Sequence, residues 1–229
     1  MPNELIFLLE LVADFGLCLL VYKWLRREGL MLLIVLHIIM CNLQVVKQVE
    51  LLGIAATLGN IAYGVTFWCT DLLSEKYGKK QAKRGVLIGF IALIMFSAVM
   101  AFVPLYTPGE SDWGDRLVSP LFRFVPRLAL ASVCAYLVSQ YHDVWLFHLI
   151  RDITGGRYLW LRNNAATMLS QLWDTLIFCT IAFVGVFPWP VLIQISLSTW
   201  LLKAIVAALD TPFIYLGTRW RWIAQATEE

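Results

Sequence analysis

Apolar stretches long enough to cross a bilayer follow one another along most of this chain. A spanning helix needs roughly 20 mostly apolar residues. The hydrocarbon core offers no hydrogen bonds, so the backbone must satisfy its own polar groups there. Seven stretches qualify, at about residues 5–24, 30–46, 55–74, 86–105, 121–149, 164–186 and 191–217. The 229 residues are 60% hydrophobic and 15% charged, against about 45–50% and about 25% for a soluble domain. Too little chain lies outside the seven for a separate soluble domain. The expectation is an all-α polytopic helix bundle, one transmembrane domain over residues 1–229. Two places weaken it. The link at 47–54 is short, and Pro212 can kink or end the seventh helix. The fifth stretch is long enough to tilt or project past the bilayer. The first is read as a membrane helix rather than a signal peptide, because no Lys or Arg precedes it and it outruns an h-region.

Basic residues orient such a chain, since cytoplasmic loops are enriched in them. Lys23, Arg26 and Arg27 follow the first stretch, and Lys76, Lys79, Lys80, Lys83 and Arg84 follow the third. Arg151, Arg157 and Arg162 follow the fifth, and Arg219 and Arg221 follow the seventh. The opposite side holds only Lys47, Arg116, Arg123 and Arg127, and its longest loop is acidic at Glu110, Asp112 and Asp115. This predicts an outer N-terminus and a cytoplasmic C-terminus. The five cysteines, Cys18, Cys41, Cys69, Cys134 and Cys179, lie inside apolar stretches with no C-x-x-C. They read as buried thiols, neither a disulfide framework nor a zinc site.

Ionisable groups inside a membrane are costly, at least ~2.5–3.5 kcal/mol on insertion scales, and tend to be paired and functional. Asp174 and Lys203 fall near the middle of the sixth and seventh stretches. Asp71, Glu75, Asp143 and Asp210 fall toward the cytoplasmic ends of theirs, and Asp14 and His37 lie within the first two. Helical spacing sorts polar residues into stripes. Asn164, Thr167, Gln171 and Asp174 read as one, and Ser132, Tyr136, Gln140 and Asp143 as another. Asn60, Tyr63, Phe67, Asp71 and Ser74 form a third, Thr199, Lys203 and Asp210 a fourth, and His37, Cys41, Gln44 and Gln48 a fifth. At least five helices therefore turn a wet face inward. Most Ser, Thr, Asn and Gln on such faces serve as interhelical glue, and Asp14, His37 and Cys41 read as structural. Asp71 and Glu75 read equally well as interfacial caps. The pair Asp174 and Lys203 favours function, because a buried ion pair alone rarely repays its desolvation. No H-E-x-x-H, G-x-S-x-G or Walker loop is present, so neither an enzyme nor a cofactor or metal is expected.

Several of these residues sit in longer matches. Thr70-Asp71-Leu72-Leu73-Ser74-Glu75-Lys76-Tyr77-Gly78 resembles a motif of the queuosine precursor transporter family, formerly the vitamin uptake transporter family. Further matches are Pro126-Arg127, Ala135 to Gln140 with Asp143 to Phe147, and Arg162-Asn163-Asn164 with Ser170 to Phe178. Leu202-Lys203 with Leu209-Asp210-Thr211-Pro212 completes the set, over roughly residues 30–217. The resemblance implies a six-helix core at 30–217 preceded by an additional N-terminal helix at 1–28. It implies a multi-pass importer in the bacterial inner membrane for queuosine precursors, 7-deazaguanine bases or queuine. It implies no nucleic-acid partner, and a homodimer is compatible with it.

A guanine-like edge presents adjacent N–H donors, which a carboxylate accepts bidentately, while Asn and Gln supply matched groups. On that chemistry Asp174 is expected to read the edge, with Gln171 and Asn164 assisting and Lys203 balancing charge or contacting the exocyclic oxygen. Gln140 and Asp143 complete the pocket or a gate, and Asn60 and Phe67 join the substrate-facing set. Asp71, Glu75, Asp210 and Arg127 are the gating or coupling candidates. Rival expectations are a vitamin-binding subunit served by a shared ATPase, an intramembrane enzyme and a purely structural subunit.

Overall fold

The computed structural model of the chain describes residues 2–45, 47–51, 53–123, 125–185 and 188–219, and Arg221 lies outside them. Helices α1 (Asn3–Gln44), α2 (Asn60–Tyr77), α3 (Lys79–Met100), α4 (Asp115–Arg123), α5 (Val125–Ile153), α6 (Leu159–Phe183), α7 (Trp189–Leu209) and α8 (Thr211–Arg219) account for most of it. Strands β1 (Gln48–Leu51) and β2 (Ile54–Thr57) form one antiparallel hairpin, with Leu51 opposite Ile54.

Helix α1 is 42 residues long. Straight, it would run about 63 Å, twice the hydrocarbon thickness. It breaks at Arg26, whose backbone turns to φ 52° and ψ −127°, and the two limbs fold back on each other. Asp14 Oδ1 then lies 3.0 Å from His37 Nε2, and Gln44 Nε2 lies 3.4 Å from Glu10 Oε1. The expected first and second helices are these limbs. The first limb buries Leu11, Phe15, Cys18 and Tyr22. Phe15 meets the Trp68 ring edge-on at 5.8 Å, so this limb packs on α2.

The short link after α1 is the β-hairpin. Asn3 Nδ2 donates to Glu50 O at 2.9 Å and ties the hairpin to the start of α1. The third helix was expected from about residue 55. It starts instead at Asn60, because residues 54–57 pair as β2 and Gly59 turns at φ 89°. A side chain on Gly59 would meet Cys41 O at 2.8 Å, which reserves the turn for glycine.

From Asn60 to Ser74 every residue of α2 is buried. It is the axis of the bundle, in contact with α1, α3, α5, α7 and α8. A helix surrounded by protein can carry Asn60, Thr66, Thr70, Asp71 and Ser74 where a lipid-facing helix could not. Its apparent polarity is therefore a consequence of its central place. The outer helices expose apolar residues such as Leu17, Met95, Leu169 and Ile193 instead. Among the described residues, four helical stretches are long and apolar enough to cross a membrane: Asn3–Gln44, Lys79–Leu105, Leu159–Phe183 and Trp189–Arg219. The pair Asp115–Phe122 and Arg127–Ile153, bent by 53°, makes a fifth if counted as one span. The chain is thus a multi-pass helical membrane protein. As Pro212 led one to expect, the last stretch breaks near it. α7 ends at Leu209, Asp210 sits in the break, and Pro212 occupies the first turn of α8, where a missing N–H costs nothing.

Gly64 sets how closely α7 approaches the axis. A Cβ added there would lie 2.6 Å from Val206 Cγ1. Overpacking of this kind costs about 1–3 kcal/mol. Gly64→Val is expected to lower the melting temperature of the purified protein, and Val206→Ala added to it is expected to restore part of the loss. Equal melting of the single variant and the native chain would show that the approach is not tight.

Candidate functional site

Three polar levels lie along α2, one below another. In the first, Asp174 of α6 is held from three helices. Tyr63 of α2 donates to Oδ1 at 2.5 Å, Ser139 of α5 donates to Oδ1 at 3.3 Å, and Lys203 of α7 meets Oδ2 at 2.5 Å. The Lys203 ammonium also stands 4.5 Å from the Tyr63 ring centroid, a cation over an electron-rich face. The expected meeting of Asp174 and Lys203 is present. The two charges cancel, and every Asp174 oxygen has a protein donor.

Between the first and second levels, Gln140 of α5 bridges one turn of α2. It accepts from Thr70 Oγ1 at 3.2 Å and donates to Thr66 Oγ1 at 3.0 Å. Phe67, in the same turn, packs edge-on to Tyr63 at 5.4 Å. Asn60 is buried at the start of α2.

Asp71 lies eight residues from Tyr63, about 12 Å further along α2, and defines the second level. It and Asp143 of α5 are fully buried and within side-chain hydrogen-bonding reach of each other. Thr167 of α6 donates to Asp71 Oδ2 at 3.3 Å. Asp143 also lies against Thr167 and Ser170, yet neither of its oxygens, nor Asp71 Oδ1, receives a well-aligned hydrogen bond among the described residues. Gln171 is buried nearby on α6 with its Oε1 likewise unpaired. Asp210, in the α7–α8 break, accepts from Asn163 Nδ2 at 2.9 Å. Among the described residues no salt bridge reaches Asp71, Asp143 or Asp210. Buried carboxyl groups without a cation are costly unless donors or protons satisfy them. Asp71 therefore belongs to the interior, not to an interfacial cap.

The third level is an ion pair. Arg162 Nη2 lies 2.6 Å from Glu75 Oε2, and its Nη1 donates to Gly156 O at 2.9 Å and Arg157 O at 3.2 Å. The guanidinium stacks over Phe147 at 5.4 Å. One side chain thus ties α2, α5 and the 154–158 turn together. Lys76 donates to Thr218 O and binds the end of α2 to α8.

Two expected residues take other places. Asn164 was grouped with Thr167, Gln171 and Asp174, but its amide donates to Trp160 O at 2.9 Å and Thr211 Oγ1 at 2.8 Å. Steps of three, four and three residues turn a helix by about 1000°, some 80° short of full turns, whereas eleven residues bring it back within about 20°. Asn163, eleven residues before Asp174, is the one that faces inward. Arg127 lies at the opposite end of the bundle, where it donates to Ile181 O at 2.9 Å and Val184 O at 2.6 Å and caps α6. Sequence reasoning left Tyr63, Ser139, Asn163 and Arg162 out of the site. Tyr63 stood on the Asn60–Asp71 stripe, which was the available signal. Arg162 read as a loop charge.

The carboxyl groups of the first two levels are buried in this conformation. One cavity lies among Asn42, Phe96, Phe122 and Leu128 and another beside Asn164, Met168 and Pro212. Neither is lined by Asp71, Asp143, Asp174 or Lys203.

Residues 57–217 match the family profile described as “Putative vitamin uptake transporter”. The matched segment covers α2 to α8 and leaves α1 outside. The chain is 41% identical over 220 residues to a “Probable queuosine precursor transporter” of Bacillus subtilis, covering 96% of each chain. It is 31% identical over 161 residues to a “Queuosine precursor transporter” of Escherichia coli, covering 69% of this chain and 70% of that one. No solved structure matches it. A single family profile spanning all three polar levels, with a relative aligned almost end to end, makes the assignment plain: the chain belongs to the vitamin uptake transporter family.

Proposed function

We propose that this protein imports queuosine precursors, 7-deazaguanine bases or queuine, across the bacterial inner membrane, and that Asp143 and Asp71 read the guanine-like edge. The observation that carries the reading is a pair of buried carboxyl groups that face each other at the centre of the bundle, with no cation paired to either among the described residues. A 7-deazaguanine offers two adjacent N–H donors, the complement of such acceptors. Gln171 supplies a further acceptor, and the Phe67 ring, one turn away on α2, offers a stacking face. Asp174 was the first candidate for this role on sequence grounds. Its oxygens are occupied by Tyr63, Ser139 and Lys203, so it serves as the hub that holds α2, α5, α6 and α7 in register. It becomes a second contact for the base only in a conformation that releases Lys203.

The proposed path runs along α2, with the Glu75–Arg162 pair as its cytoplasmic closure and Asp210 beside it. We count seven passes, the two limbs of α1, then α2, α3, α4–α5, α6 and α7–α8, with the N-terminus outside. The names of the relatives and the clustering of basic residues on one side support this reading, in which the protein is a carrier and catalyses no reaction.

The test is rescue of queuosine in tRNA in a bacterial strain lacking both precursor synthesis and precursor transport. Expression of this chain is expected to restore the modification with at least one precursor supplied at limiting concentration. No rescue with any precursor, with the protein present in the membrane and no labelled precursor entering proteoliposomes, would overturn the function.

A further inference from the structure

A second group of chemically potent side chains lies in α1, outside the segment shared with the family profile. Asp14 and Cys18 stand one helical turn apart on the first limb, and His37 reaches them from the second. Their atoms form a triangle. Asp14 Oδ1 to His37 Nε2 is 3.0 Å, His37 Nε2 to Cys18 Sγ is 3.6 Å, and Cys18 Sγ to Asp14 Oδ1 is 3.7 Å. Cys18 and His37 are buried, and Asp14 is partly so.

We infer that this triangle is a site for one divalent ion of the zinc class, stapling the two limbs of α1. A tetrahedral zinc ion with bonds of ~2.0 Å to nitrogen and oxygen and ~2.3 Å to sulfur separates those ligand atoms by ~3.3 Å and ~3.5 Å. The three observed separations lie within a few tenths of an ångström of that pattern. Imidazole, thiolate and carboxylate together are a zinc ligand set. His37 Nδ1 lies 2.8 Å from the Leu33 carbonyl oxygen, to which it donates. That bond directs the Nε2 lone pair at the triangle, the outer-shell support that metal-binding histidines carry. With a thiolate, a carboxylate and a neutral imidazole, the ion leaves the site with no net charge, as a low-dielectric interior favours. Cys69 of α2 is buried and within electrostatic reach of both Cys18 and Asp14. The ion would thereby lock the α1 limbs beside the axis of the bundle.

The full chain, purified in mild detergent, is measured for metal by elemental analysis and titrated with Co²⁺. About one equivalent of Zn²⁺ or bound Co²⁺ per chain is expected, with a thiolate-to-cobalt charge-transfer band that a Cys18 ligand requires. Cys18→Ser is expected to lose the band, His37→Gln to lose the metal, and a chelator to lower the melting temperature by roughly 2–4 °C or more. Absence of retained zinc together with absence of a cobalt band in the native chain would overturn the site, and this arm needs no variant to fold. Retention of metal and band by both variants would overturn it equally. Because the assay reads metal and not uptake, its outcome is independent of whether the protein carries queuosine precursors.

Discussion

Asp143→Asn is expected to lower precursor uptake by 30-fold or more while leaving the protein at least as stable as the native chain. The expectation comes from what the carboxylate does and does not touch. Asp143 is fully buried and neither oxygen receives a well-aligned donor. Removing one partner of a buried, charge-assisted hydrogen-bonded pair costs about 2–5 kcal/mol, and each 1.4 kcal/mol is tenfold in affinity. The amide keeps the shape but replaces one acceptor by a donor that meets the ligand's own N–H. In the empty protein the amide keeps the shape against Asp71, Thr167 and Ser170 and removes a buried charge that no cation balances among the described residues, so stability is not expected to fall. The two readouts therefore diverge, and a merely structural aspartate would not do that. Labelled precursor uptake into proteoliposomes and a thermal melt of the same preparation measure both. Undiminished uptake would remove Asp143 from the binding site. Asp71→Asn is expected to act in the same direction.

Lys203→Met should do the reverse, damaging stability first. The ammonium is the only cation paired with Asp174 among the described residues, at 2.5 Å. Taking it away leaves a carboxylate 3% exposed, held only by Tyr63 and Ser139. Breaking one side of a buried pair costs about 3–5 kcal/mol. A large fall in melting temperature and in membrane yield is expected. Adding Asp174→Asn is expected to recover much of it, because the stranded charge then disappears. If Lys203→Met melts like the native chain, the pair is not the hub described above. If the double variant melts no better than the single one, the loss arises from packing around the lysine stem.

The contrast between these aspartates could not be read from the chain alone. Both fall in apolar stretches beside small polar residues, and both cost about the same to insert. Only the fold shows that Tyr63, Ser139 and Lys203, from three other helices, converge on Asp174, while Asp143 meets another carboxyl group. Helical spacing found the inward faces, but it drifted over ten residues and chose Asn164 where Asn163 points in. The start of α2 was also placed early, because residues 54–57 are apolar enough for a helix and pair as a strand. The third helix itself was found as an apolar stretch, and it also carries a polar stripe that a lipid-facing span would not. That same polarity marks it as the axis.

What the sequence by itself determined is the class of molecule. Long apolar stretches demand helices in a membrane, since no other open structure satisfies the backbone there, and ionisable residues within them demand a protein-lined interior. What the tertiary structure decided is which of those ionisable residues meet. Asp14 and His37 are 23 positions apart, Tyr63 and Asp174 are 111 apart, and Asp71 and Thr167 are 96 apart. Hydrophobic patterning is local and survives in any register, whereas the pairing of buried charges depends on helix order, rotation and depth. Those are set by the close approach at Gly64, the break at Asp210 and the fold-back at Arg26, which position side chains that sequence spacing alone cannot relate.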